Sequence, residues 1–217
     1  IARNVWAPII IYGMGFRLEI KYKGGTNKNQ QYMFVANHTS YIDPFVMLRV
    51  VKQPFVFVGK KELVKIPLFG YIYKRAAIMV DRSSSKSRYG VYGRADKVLD
   101  KGYSVCIFPE KDYLDETILL NPFKHGAFKI AVFHHFPVVP MLFLDCKRKQ
   151  PWYTTHGYPG KLRVNVYPSV STKGMTGKDV PKLLDNIYNF MESELREDPE
   201  RASLKAINIW KRINKIS

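Results

Sequence analysis

Apolar and polar positions along the chain change period repeatedly, and each change marks an element. Leu18 to Tyr22, Tyr32 to Ala36, Phe55 to Val58, Ile78 to Val80, Ser104 to Phe108, Val138 to Phe143 and Leu162 to Tyr167 are short apolar or alternating runs of strand length. Between them, apolar residues recur three or four apart. A helix is predicted to open near Tyr41 to Pro44, with Asp43 or Ser40 as its cap and Phe45, Leu48 and Val51 as its apolar side. Glu62 to Ile66 reads as helical until Pro67, and Tyr92 to Lys101 until Gly102. Phe123 to Phe133 and Pro181 to Leu195 are longer helical patterns, the second carried by Leu184, Ile187, Tyr188, Met191 and Leu195. Strands alternating with helices predict an α/β fold: a single domain over 1–217 with a central mixed, partly parallel sheet flanked by helices.

Two end segments have a different character. Val5 to Phe16 is apolar and aromatic, flanked by Arg3 and Arg17. It is shorter than the roughly 20 residues that cross a bilayer. Residues 1–17 therefore suit either a core helix or a helix lying in the headgroup layer. Residues 200–217 form a basic amphipathic tail, with Leu204, Ile207, Trp210, Ile213 and Ile216 beside Lys205, Lys211, Arg212 and Lys215. Charge strengthens the surface reading: the formal net charge is +17, which attracts anionic partners. Phosphate backbones and anionic lipid surfaces both fit that sign. The chain carries no zinc spacing, no RNP pattern and no DNA-binding helix pair, so nucleic acid is not expected. Cys106 and Cys146 each sit in an apolar stretch and read as buried thiols. His125, His134, His135 and His156 lack carboxylate or thiol company, and His134-His135 on a strand would face opposite ways, so no metal is expected.

The chemistry concentrates in NHTSYID, residues Asn37 to Asp43. Five positions put His38 and Asp43 about 140° apart on a helix, so they would not share a helical face. They can converge if His38 lies in a strand-to-helix turn and Asp43 opens the helix behind it. Asp43 would then hold one ring nitrogen and leave the other as a base. Taken alone, the same spacing equally fits a polar turn histidine and a plain helix cap. Lys60, Asp81-Arg82 and Glu110 interrupt apolar strands in the same way, near strand ends, where open α/β sheets gather their ligands.

With these blocks in order, the chain resembles the glycerolipid acyltransferases of the 1-acylglycerol-3-phosphate (lysophosphatidic acid) type. Asn37, His38 and Asp43 match that family's Asn-His-x4-Asp block, and KKELVKIPLFG, Lys60 to Gly70, matches its Lys-x-Glu-Leu-x-x-Ile-Pro-x-Phe-Gly stretch. Asp81-Arg82, Phe108-Pro109-Glu110 and VVPM at Val138 to Met141 match three further blocks. The resemblance implies His38 and Asp43 as catalytic residues, and Asn37, Lys60, Arg82, Glu110 and Lys111 on the substrate side. It implies transfer of an acyl group from acyl-CoA or acyl-carrier protein to the free hydroxyl of 1-acylglycerol-3-phosphate, giving phosphatidic acid. No bound cofactor is implied. The partners are then a lysophospholipid, an acyl thioester and an anionic membrane surface, with the protein peripheral or monotopic on its cytoplasmic face. Without a Gly-x-Ser-x-Gly elbow or a Cys-His pair, direct attack by the acceptor hydroxyl is the simplest route. Backbone N–H groups near Pro109 to Lys111, or at the opening of the Tyr41 helix, would meet the oxyanion.

One block departs from the family. Where Phe-Pro-Glu-Gly-Thr-Arg is usual, this chain reads FPEKDY, so a flexible glycine and a bidentate phosphate-binding arginine are missing. That leaves room for another acceptor, glycerol-3-phosphate or an amino-acid-based lysolipid, and for a non-catalytic lipid-binding module.

Overall fold

The computed structural model describes residues 2–60, 77–80, 100–110, 115–153 and 157–216. Seven strands form one sheet: β1 (Phe16–Tyr22), β2 (Met33–Ala36), β3 (Phe55–Lys60), β4 (Ala77–Val80), β5 (Ser104–Ile107), β6 (Val138–Phe143) and β7 (Gly160–Val166), in the order β1-β7-β6-β2-β5-β3-β4. All neighbouring pairs are parallel except β6 with β7. The predicted mixed, partly parallel sheet is therefore present, and β2, β3, β4, β5 and β6 all end at the same edge.

Among the described residues the α-helices are α1 (Ala7–Gly13, preceded by a π-helical turn Ala2–Trp6), α2 (Asp43–Val50), α3 (Gly126–Phe133), α4 (Cys146–Lys149), α5 (Val180–Arg196) and α6 (Ala202–Ile213). Strand side chains alternate between two cores, as the two-residue period requires. Met33, Val35 and Val105 join the core under α3 and α5, where Phe128, Leu183, Ile187 and Met191 lie. Phe34, Ala36 and Cys106 join the core under α1 and α2, with Ile11, Val46 and Met47. Burial on both faces explains why the central strands read as continuous apolar runs.

Several expectations need correction. The buried side of α2 is Val46, Met47 and Val50, while Phe45 and Leu48 are only half-buried. Neither Ser40 nor Asp43 caps it: Ile42 occupies the cap position, and Asp43 is the first helical residue. His134 and His135 are not on a strand. They end α3, with His135 left-handed at φ 53°. Within the charged run 145–150, Asp145 and Lys147 are each 2% exposed. Arg163 holds Asp145 through a two-pronged contact, and Glu116 pairs with Lys147 at 3.3 Å. The helices expected at Glu62 to Ile66 and over most of Tyr92 to Lys101 lie outside the described residues.

The end segments show both characters at once. In the first, Ala7 and Ile11 are fully buried, whereas Trp6, Ile9, Tyr12 and Met14 are exposed. In α6 the first half packs through Ala202, Ala206 and Ile207, whereas Ile209 and Ile213, and Ile216 just past the helix, are exposed. Among the described residues, no helix is long and apolar enough to cross a membrane.

Candidate active site

Period two along β2 puts Phe34 and Ala36 on the α2 face of the sheet. The chain leaves the strand there, turns through Thr39 to Ile42, and enters α2 at Asp43. That turn brings His38 and Asp43 together although their spacing separates them on a helix. Nδ1 of His38 lies 2.9 Å from Oδ2 of Asp43. The same Oδ2 accepts the N–H of Thr39 at 2.7 Å and of Ser40 at 2.8 Å. Asp43 is 0% exposed and His38 8%. With a carboxylate held this firmly, Nδ1 is fixed as the hydrogen-bond donor and Nε2 as the basic nitrogen. The other oxygen, Oδ1, is buried without a hydrogen-bond partner of ordinary geometry. Burial, and then the nearby Asp43 carboxylate, push the Cys146 thiol well above its usual pKa, so it stays protonated beside that carboxylate.

Glu110 supports the turn from the neighbouring strand. Its Oε1 accepts the His38 N–H at 2.6 Å and its Oε2 the Asn121 N–H at 2.9 Å. A bridge to Phe123 and the Lys124 N–H donated to the Pro109 carbonyl at 2.8 Å hold Glu110 against the returning chain. Burial pushes its carboxyl up to about 7, against the hydrogen bonds from His38 and Asn121 and the charge of Lys147. Asn37 works similarly on the other side. Its amide exchanges two hydrogen bonds with the Phe143 backbone of β6, at 2.8 and 3.2 Å, and it is 1% exposed.

The structure thus brings together Asn37, His38, Asp43 and Glu110. Lys60 closes β3 at the same sheet edge, with only its backbone described. Arg82 and Lys111 lie outside the described residues. One oxyanion expectation is weakened: the N–H groups of Thr39, Ser40, Ile42 and Asp43 are all engaged within the turn. Sequence reasoning missed the aromatic neighbours of His38. Phe108 stacks on its ring, and Trp152 meets it edge to face. The second had one available signal, an aromatic pair, Trp152-Tyr153, inside an otherwise polar loop. Among the described residues, no group of three or more His, Cys, Asp or Glu is placed to hold a metal ion.

A strand-end histidine held by the first carboxylate of the following helix is an arrangement able to take a proton from a hydroxyl. The chain belongs to the acyltransferase family, whose model matches residues 18–144. Among its relatives are the 1-acyl-sn-glycerol-3-phosphate acyltransferases alpha of Mus musculus, 31% identical over 86% of this chain, and of Homo sapiens, 30% identical over 87%. The 1-acyl-sn-glycerol-3-phosphate acyltransferase of Cocos nucifera is 34% identical over 82% of the chain and 58% of its own length. The chain spans 66% and 67% of the mouse and human proteins. In fold it is similar to the 1-acyl-sn-glycerophosphate acyltransferase PlsC from Thermotoga maritima. That match has a TM-score of 0.72 and 21% identity, covering 88% of this chain and 77% of the other.

Proposed function

We infer that the chain transfers a fatty acyl group from a thioester, acyl-CoA or acyl-carrier protein, to the free hydroxyl of 1-acylglycerol-3-phosphate, giving phosphatidic acid. The observation that carries this reading is the buried His38–Asp43 pair at 2.9 Å, in a chain of the acyltransferase family. Nε2 of His38 takes the proton of the acceptor hydroxyl as its oxygen attacks the thioester carbonyl carbon. The tetrahedral intermediate then collapses, the carbon–sulfur bond breaks, and the proton on Nε2 passes to the leaving thiolate. Asp43 keeps Nδ1–H directed and stabilises the transient imidazolium. Asn37 and Glu110 serve the substrates indirectly, because their polar groups already hold the backbone around His38. Lys60, Arg82 and Lys111 are the residues proposed for the acceptor phosphate.

The enzyme works at the cytoplasmic face of an anionic membrane as a peripheral or monotopic protein. Supporting this are the net charge of +17 and the exposed Trp6, Ile9 and Tyr12 of the first segment. The exposed Ile209, Ile213 and Ile216 of the tail, beside Lys211, Arg212 and Lys215, give a second surface of the same kind. FPEKDY favours one second reading, an acceptor with another polar head, because the expected arginine fork is absent.

The test is acyl transfer from a long-chain acyl-CoA to 1-acylglycerol-3-phosphate in liposomes, with acyl-carrier protein and an acceptor panel alongside and His38→Ala as control. Phosphatidic acid from the wild type and none from the variant is the expected result. Product only with another acceptor selects the second reading. Vesicle binding without product from any pair leaves a lipid-binding module.

A further inference from the structure

The His38–Asp43 hydrogen bond fixes the direction of the imidazole but not its position. A ring anchored at Nδ1 can still roll about that bond and lift away from the turn. Two aromatic side chains oppose those movements. Phe108, just beyond β5, lies almost parallel to the imidazole, with centroids 4.0 Å apart and planes 18° apart. Trp152, on the loop after α4, meets the same imidazole at 4.8 Å and 76°. Trp152 also packs at 4.2 Å and 82° against Tyr41, which belongs to the turn between His38 and Asp43. Tyr41 is 66% exposed, so the sheet and helices cover little of it. One side chain therefore touches both the ring and the turn that carries it. The loop has its own anchor, since Tyr153 packs on Trp210 of α6 at 4.4 Å.

We propose that Trp152 is a positioning residue for His38: it closes the slot whose other sides are Phe108 and Asp43, and keeps the imidazole where Nε2 can take the acceptor's proton. The proposal rests on His38 acting as the base of acyl transfer. Positioning of this kind is worth much in rate, because displacing a reacting group by about 1 Å costs on the order of a hundredfold. Packing also confers it selectively. Phenylalanine retains a flat ring to face the imidazole, whereas leucine occupies similar space without one.

The experiment compares Trp152→Leu and Trp152→Phe with the wild type in two readouts. The first is steady-state kinetics with long-chain acyl-CoA and 1-acylglycerol-3-phosphate. The second is NMR relaxation of the His38 ring carbons in protein without substrate, the signals being assigned with His38→Gln. Trp152→Leu is expected to lower kcat about tenfold or more while both KM values stay within about twofold. Trp152→Phe should retain kcat within about threefold, because it restores a ring wall. The His38 ring should gain fast motion in the leucine variant and little in the phenylalanine one. An unchanged kcat in Trp152→Leu overturns the proposal, as does a rise in one KM at constant kcat, which would make Trp152 a wall of the substrate cleft. If the wild type transfers no acyl group at all, the acyltransferase reading fails by itself. The ring dynamics still decide: a ring equally rigid in Trp152→Leu overturns the positioning role, and a loosened ring supports it.

Discussion

Among the described residues, the buried polar clusters around Arg163 and His38 are built on opposite plans. Around Arg163 every strong group is answered. Its Nε and Nη2 hold both oxygens of Asp145 at 2.9 Å, and Nη1 and Nη2 hold Asp198 at 2.6 and 3.0 Å. Asp198 in turn accepts the N–H of Ala202 at 2.9 Å and so starts α6. Burial opposes the Arg163 charge, yet the two carboxylates outweigh it and hold its pKa above the ordinary value. Around His38 the accounts are uneven. Three donors converge on one oxygen of Asp43, the other oxygen is buried without an ordinary partner, and burial lifts Glu110 to about 7. A cluster that only joins β7 to the α5–α6 junction settles into full satisfaction. One that passes a proton, as proposed for His38, is expected to retain groups able to change state.

Substitution should separate the two plans. The largest effect is expected at the base: His38→Ala should lower acyl transfer by about a thousandfold or more, with Asp43→Asn following at about a hundredfold or more. His38→Ala also empties the space between Phe108 and Trp152 and removes one donor from buried Asp43, so some loss of thermal stability is expected and activity is read per folded molecule. Full activity in His38→Ala would end the base assignment. Arg163→Met should do the reverse. It leaves Asp145 and Asp198 buried together without their cation, a loss of about 3–5 kcal/mol, read as a lower denaturation midpoint. Activity per folded molecule should hold. A large fall in kcat with unchanged stability would mean that the Arg163 cluster belongs to the reaction after all.

Much of this was legible in the sequence, for physical reasons that also mark where reading stops. Strands buried on both faces leave continuous apolar runs, so Phe55 to Val58 and Val138 to Phe143 were plain. The long helix Val180–Arg196 showed itself through Leu184, Ile187, Met191 and Leu195, all buried. The sheet order was not legible, because pairings such as β1 with β7 join residues 16 and 160, and nothing local encodes that register. The His38–Asp43 pair could be stated as one of two geometries, and the turn between them decided which. The family resemblance implies a substrate-side place for Asn37 and Glu110. Only coordinates show that their partners are the Phe143 and His38 backbones. Trp152 lies outside every motif and touches His38 from more than a hundred positions away, so spacing could not have found it.

The smallest of these effects is the most diagnostic of how the site is built, because it concerns the pH dependence of folding. In the unfolded chain Glu110 titrates near its ordinary 4.5, and in the fold near 7. Between those values the folded state retains a proton that the unfolded state has released, so stability falls as pH rises through the window and is level beyond it. A shift of that size corresponds to about 3 kcal/mol for a fully buried carboxyl. Glu110→Gln removes the titration. Its amide also sets an NH2 against one of the two backbone N–H groups, His38 or Asn121, but that cost is the same at every pH. The slope is therefore the readout. Chemical denaturation at both ends of the window should show the wild type losing stability toward neutral pH and the variant flat, with kcat reduced because His38's backbone has lost half its support. Parallel slopes in the two proteins would mean that Glu110 is ionised throughout, and that the turn beneath the base carries no stored penalty.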